Sequence, residues 1–338
     1  MTTATQAQRV AMKHGAGGRS MRSLIERVFL AGATGTAADM DDGAAIPLGD
    51  EWLIVTTDSH VIQPIVFPGG DIGRLSVAGT VNDLAMMGAT EPLGLTCAVV
   101  IEEGFAIEDL ERLQGSIRRT CEEAGTTIVA GDTKVMRRGE VDGVVINTTG
   151  IALARRVVRD RGLQSGDAIV VTGTVGDHGM AVMAVRHEFR FGEPLQSDVA
   201  PLNGLIRAAM QASGDGITAM KDPTRGGVAS ALHEMADKAG VSILIREGAV
   251  PVRETVRAAA ELLGIDPLFI ANEGKAVIGV RPDRLEAVLT ALHRHPLGRD
   301  AAVIGTCQAT APGTIMLDTG FGRRRLSEPD GELLPRIC

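Results

Sequence analysis

Residues 56–89 read TTDSHVIQPIVFPGGDIGRLSVAGTVNDLAMMGA, and this stretch decides the fold. Its first residues close an apolar run, EWLIVTTDS, which predicts a strand ending at the pair Asp58–Ser59. PGGD then supplies a turn. From Ile72 the chain predicts a helix rich in small residues, where Ala78, Gly79 and Ala85 permit close packing. Strand, turn and helix in this order open an α/β unit.

The pattern continues outward. LGLTCAVVI (93–101) predicts a strand, and residues 107–125 predict a helix from the spacing of Leu110, Leu113, Ile117, Cys121 and Ala124, with Gly125 at its C′ position. TTIVAGDTKV (126–135) and the run at 139–153 are further strands. A second unit begins near residue 160 with a strand, a glycine-rich loop (TGTVGDHG) and a helix within 163–184. Helices follow at 202–213, 226–240, 254–264 and 283–295, with strands at 275–280 and 301–306. The reading is an α/β (α+β) chain of two lobes. Residues 1–40 are a mobile lead-in, 41–155 a first domain, 160–320 a second, and 321–338 a flexible tail ending in Cys338.

Composition narrows the function. Aromatic residues are only 2%, so Val, Ile, Leu, Ala and Met fill the core. The net charge of -8 argues against nonspecific nucleic-acid binding, which needs a dense positive face. No apolar run is long enough for a membrane span, and the N-terminus lacks the apolar centre of a signal peptide. The four cysteines form no CxxC pair, so the expectation is a cytoplasmic protein with reduced thiols and no zinc framework.

Several acidic residues stand beside small residues at the ends of apolar runs: Asp41 and Asp42 in MDDGAA, Asp58 in TTDSH, Asp83 in VNDLAMMG, Asp132 in VAGDTKV and Asp222 in KDPTRGGVAS. Each alone reads as readily as a turn residue or helix cap. Together they fit a hard cation held between carboxylates and nucleotide phosphates. Gly226 and Gly227 open a helix whose N–H groups would face a phosphate. No GxxxxGK[ST] loop is present. Lys134 is a phosphate clamp, a base or a surface lysine. Glu273, between apolar runs, is a turn residue or a general base whose pKa burial raises. His14 in KHGAGG is an exposed loop residue or part of a segment closing over a ligand.

HGAGG, DDGAA, the block 56–89, AGDTKV, DPTRGGVA, ANEG and the terminal PRIC together resemble the HypE family of hydrogenase maturation proteins. That family lies within the superfamily of aminoimidazole ribonucleotide synthetase, selenophosphate synthetase and thiamine-monophosphate kinase. The resemblance implies a two-lobed synthetase-type fold, an N-terminal α/β domain that binds ATP and pairs in a homodimer, and a C-terminal α+β domain. It implies ATP contacts at Asp58, Asn82, Asp83, Gly131, Asp132, Thr133, Asp222, Gly226 and Gly227. It implies Mg²⁺ ligands among Asp41, Asp42, Asp58, Asp83, Asp132 and Asp222.

The resemblance also gives Cys338 a task. A HypF-type carbamoyltransferase would carbamoylate its sulfur, and the tail would carry the thiocarbamate into the ATP site. Phosphorylation of the amide oxygen and loss of the N–H protons would leave a thiocyanate. The cyano group would pass to iron on a HypC–HypD-type complex for a nickel–iron hydrogenase. Glu273 is the expected base, with Lys134 its competitor, and His14 would help close the N-terminal segment on ATP.

Overall fold

The computed structural model describes residues 9–15, 17–32, 39–189, 194–328 and 337–338. Helix α1 spans Gly18–Leu24. The first lobe contains β1 Ala44–Leu48, β2 Glu51–His60, β3 Val66–Phe67, β4 Gly70–Asp71, α2 Ile72–Met86, β5 Pro92–Glu102, α3 Ile107–Ala124, β6 Ile128–Met136 and β7 Val144–Ala154. Its main sheet runs in the order β1-β2-β7-β5-β6. Only β5 and β6 are parallel there. Parallel neighbours cannot be joined by a hairpin, and α3 makes the crossover. Strand β6 lies at the sheet edge, and its side chains are exposed from Val129 onward.

Helix α2 is the centre of this lobe. Asp71 caps it, its Oδ1 accepting the Arg74 N–H at 2.9 Å. Nearly every α2 residue is buried, so the helix has no solvent face. Small residues make that possible. A Cβ on Gly73 would lie 2.6 Å from the Leu113 carbonyl oxygen of α3. Helix α3 is instead amphipathic, burying Leu113, Ile117, Cys121 and Ala124, and it ends at Gly125 with φ 70°.

The second lobe contains β8 Ala168–Val171, α4 Asp177–Arg186, α5 Asn203–Ser213, β9 Ile217–Lys221, α6 Gly227–Ala239, β10 Ser242–Arg246, α7 Glu254–Leu263, β11 Val277–Val280, α8 Leu285–Arg294, β12 Ala302–Gln308, β13 Ile315–Asp318 and β14 Arg323–Leu326. Its sheet has the order β14-β13-β10-β12-β8-β11-β9. Strands β9, β10, β13 and β14 are additions to the elements expected from sequence. Strand β14 falls inside the stretch read as tail, and α1 falls inside the lead-in. Arg22 of α1 pairs with Glu328, which joins these two outlying segments. The expected mobility at 1–8, 33–38 and 329–336 lies outside the described residues.

One apolar cluster unites the lobes, taking Ile72 and Leu75 from α2, Met180 and Ala181 from α4, and Val256 from α7. Asn82 of α2 adds a polar brace. Its Nδ2 donates to the carbonyls of Ala200 (3.2 Å) and Glu273 (3.3 Å), and its Oδ1 accepts the Leu202 N–H at 2.8 Å. Among the described residues no helix is long and apolar enough to cross a membrane.

Candidate functional site

A cavity of about 530 Å³ opens between the end of β2, α2 and the β9–α6 turn. Alternation along β2 points Thr56, Asp58 and His60 to one face. The Thr56 hydroxyl lies 2.8 Å from Asp83 Oδ2 and 2.9 Å from the Asp42 carbonyl oxygen. His60 Nε2 lies 3.1 Å from Asp58 Oδ2. Gly79 makes room for that pair, since a Cβ there would stand 2.8 Å from His60 Nε2. Across the cavity, Gly226 and Gly227 hold φ of 78° and 63° and start α6. Any Cβ on Gly227 would meet the Leu268 and Ile270 carbonyls at 2.6 Å.

The cavity is acidic, and its charges are poorly balanced. Burial raises Asp83 well above the carboxylate range, and Asp222, Asp58 and Asp42 raise it further. Burial, Asp42 and Asp58 push Asp222 up to about 8. Burial also works to raise Asp58, but His60, Arg225 and the Ser59 N–H outweigh it and hold that carboxyl low. Asp42 is raised by burial although it pairs with Lys221. Lys221 also faces Glu234 (3.3 Å) and Asp160 (3.8 Å). Asp41 pairs with Arg159 at 2.6 Å and leaves its Oδ1 without a hydrogen-bond partner.

Glu273 sits on a locked loop. Asn272 Oδ1 accepts the Gly176 N–H at 2.7 Å, and Asp198 Oδ1 accepts the Glu273 N–H at 3.1 Å. A Cβ on Gly274 would fall 1.8 Å from the Asp198 carbonyl oxygen, so only glycine follows Glu273 without a shift. The Glu273 side chain is buried with Oε1 unpartnered. Burial, then Asp222, Asp58 and Asp198, raise its pKa well above the usual range.

Cys338 enters this cavity, and Ile337 packs beside it. Ile337 is 3% exposed in the apolar cluster shared by both lobes. Cys338 lines the cavity with Asp58, Asp83, Asp222, Arg225 and Glu273. Burial raises the thiol strongly, and Glu273, Asp58 and Asp222 add to it against Arg225. The docked sulfur is therefore protonated.

The structure thus brings Asp41, Asp42, Asp58, Asp83, Asp222, Gly227, Glu273 and Cys338 to one cavity, with Gly226 at its rim. It does not bring Gly131, Asp132, Thr133 or Lys134 there. These lie on exposed β6, where Lys134 Nζ pairs with Asp132 at 2.8 Å. Asn82 is buried beside Asp83, with its amide bonded between the lobes to Ala200, Leu202 and Glu273. His14 lies in an exposed turn, where its Nδ1 accepts the Ala11 N–H at 2.8 Å. Thr56, His60, Lys221 and Arg225 were missed, although all stand within motifs already singled out or one residue from them. Lys221 and Arg225 flank Asp222 in KDPTRGG, the cue that was available.

The donor set suits Mg²⁺. Among the described residues no three acidic, His or Cys side chains converge closely enough to hold an ion alone. Mg²⁺ tolerates that arrangement because it keeps waters and takes phosphate oxygens as ligands. Asp42, Asp58, Asp83 and Asp222 are the available carboxylates, and cationic charge among them would relieve the repulsion just described.

Protonation of Asp222 has a consequence for stability. Its pKa moves from the ordinary 3.8 to about 8 on folding. The folded state then holds the extra proton between those values, so stability falls as pH rises through that window. Asp222→Asn cannot ionise. Free of metal and nucleotide, that variant melts higher than wild type at pH 8 and shows no gain at pH 4. Thermal melts across pH check this, and an equal gain at both ends contradicts it.

Residues 40–154 match the family described as AIR synthase related protein, N-terminal domain, and residues 164–318 match the corresponding C-terminal domain. The chain is 45% identical to a putative hydrogenase expression/formation protein of Methanocaldococcus jannaschii, over 98% of this chain and all of the relative. It is 42% identical to carbamoyl dehydratase HypE of Escherichia coli, over 97% of this chain and 99% of the relative. Among solved structures, a HypE–HypF complex superposes with a TM-score of 0.86 at 45% identity, covering 91% of this chain and all of that one. HypE in complex with ATP gives 0.82 at 40% identity, covering 97% and 100%. The chain belongs to the HypE family of hydrogenase maturation proteins, built from the AIR synthase related domains.

Proposed function

We propose that this protein uses ATP to dehydrate an S-carbamoyl group on its own Cys338 to a thiocyanate. The observation that carries the reading is Cys338 seated in the acidic cavity beside Glu273. A thiol held protonated by burial is a poor nucleophile. Its acceptance of a carbamoyl group therefore belongs to a withdrawn tail, where the thiolate forms readily, and a HypF-type carbamoyltransferase is the donor. The docked position serves the second step, with sulfur, carbonyl and amide nitrogen delivered together.

That step balances as R–S–CO–NH₂ plus ATP giving R–S–CN, ADP and phosphate. The amide oxygen attacks the γ-phosphoryl group, because an unmodified amide oxygen is a poor leaving group. Removal of both N–H protons and departure of the oxygen with phosphate form the C≡N bond. Glu273 is the base: it is buried, fixed at its backbone and carries an unpartnered oxygen. Its raised proton affinity suits that role once incoming cations favour its ionised form. The Gly227 start of α6 lines the cavity and would offer its N–H groups to the phosphates. Arg225, beside Cys338 and Glu273, offsets charge on the transferring group. Bound Mg²⁺ would neutralise phosphate charge through Asp42, Asp58, Asp83 and Asp222.

Asp132 and Lys134 require a second subunit. The outer face of the first sheet exposes Leu93, Val129 and Ile151, a concentration of apolar area that a homodimer would cover. Pairing there would bring β6 of one subunit to the partner's ATP site, where Lys134 would contact phosphate. Val129→Glu should halve the mass seen by sedimentation equilibrium, and an unchanged mass would remove this face from the interface. The cyano group would then pass to iron on a HypC–HypD-type complex.

The reaction is tested by intact mass after incubation with carbamoyl donor, transferase and MgATP. Wild type gains a carbamoyl group and then loses water, both on Cys338. Glu273→Gln gains the group and keeps it. Dehydration at the wild-type rate in Glu273→Gln removes the glutamate from the mechanism. ATP turnover undiminished in Cys338→Ala points instead to a small-molecule substrate.

A further inference from the structure

His178 lies on α4, fully buried, and the reaction above gives it no role. Both of its ring nitrogens are engaged. Nε2 is 2.7 Å from the Ile337 carbonyl oxygen, and Nδ1 is 2.7 Å from Ser197 Oγ. A carbonyl only accepts, so Nε2 carries the proton. Burial holds the imidazole below its ordinary pKa, so the ring is neutral and Nδ1 accepts from the Ser197 hydroxyl. Ser197 Oγ in turn accepts the Val199 N–H at 3.1 Å. Phe67 meets the ring edge-on, with centroids 5.3 Å apart and planes at 90°. With the tail seated, the Ile337 carbonyl fixes the tautomer, and Ser197 and Phe67 hold the plane of the ring.

The neighbouring residue has its own anchor. Val61 N–H donates to the Cys338 main-chain oxygen at 3.3 Å. Val61 follows β2 in the first lobe, whereas His178 belongs to the second. One hydrogen bond from each lobe thus holds the main-chain oxygens of the last two residues. The Ile337 side chain fills the shared apolar cluster and sets the depth. Only the Cys338 side chain is left to enter the cavity.

We propose that His178 and the Val61 N–H form a seat for the last two residues, with His178 as the positioning residue that registers Cys338 against Glu273. The inference deepens the dehydration reading and rests on it for its catalytic consequence. The seat itself stands on geometry alone.

The test uses full-length protein without ATP, iodoacetamide as the probe, and peptide mass to follow Cys338 and Cys97 separately. His178→Leu keeps bulk but removes the donor, and His178→Gln restores an N–H near Nε2. Loss of one buried hydrogen bond should speed Cys338 alkylation about tenfold in His178→Leu, with Cys97 unchanged and His178→Gln near wild type. Ser197→Ala, which frees the ring without emptying its site, should give an intermediate rate. In the carbamoylated protein, MgATP-driven dehydration should slow about tenfold in His178→Leu with the KM for ATP unchanged. Cys338 alkylation at the wild-type rate in both His178→Leu and Ser197→Ala overturns the seat, as does equal acceleration at Cys97. Accelerated alkylation together with a wild type that never dehydrates its carbamoyl group keeps the seat and defeats the dehydration reading.

Discussion

The fold gathers more carboxyl groups in one buried place than can ionise there together. Asp42, Asp58, Asp83, Asp222 and Glu273 converge from separate segments of both lobes. At a few ångströms and low dielectric, like charges cost several kcal/mol each. Lys221 and Arg225 are the nearby cations, and Lys221 is already shared by Asp42, Glu234 and Asp160. Burial first, and then this mutual repulsion, make Asp83, Asp222 and Glu273 all bind protons more tightly than usual. A site in this condition favours cationic ligands. The same crowding gives one glutamate the proton affinity that amide deprotonation requires.

The thiol follows the same logic from the other side. A cavity hostile to negative charge suppresses thiolate and so protects docked Cys338 from premature reaction. It accepts a neutral thiocarbamate without that penalty. In the proposed reaction, transfer from a carbamoyl donor falls outside the cleft and dehydration within it. The packing that permits this is old-fashioned close contact: Gly79 beside His60, Gly227 beside two carbonyls, and Gly274 beside Asp198.

Much of this was legible in the chain. An apolar run ending in an acidic residue beside small residues marks the places where strands deliver carboxylates, and Asp58 and Asp222 both follow it. Helices α2 and α3 were readable for opposite reasons, one from its small residues and one from its apolar spacing. Strand β14 was hidden because RRRL presents charge rather than period. Its arginines reach Asp318 and Asp266 on the surface while Leu326 alone is buried. His178 stands in TGTVGDHG, a stretch that drew notice for its glycines, but its contact with a residue 159 positions away carries no local signal. The resemblance implied Asn82 as an ATP contact, whereas helical geometry turns it and Asp83 to different neighbours. Lys134 was recognisable as a strand lysine, whereas its distance from the cavity of its own chain depends on β6 being the outer edge of the sheet.

The fate of the carbamoyl oxygen distinguishes the proposed dehydration from its alternatives. Carbamoylated protein made with ¹⁸O in the carbonyl, then given MgATP, should release phosphate containing the ¹⁸O as the thiocyanate forms. That outcome follows only if the oxygen is phosphorylated before it leaves. Release of the label as water, with unlabelled phosphate, would contradict the proposed reaction.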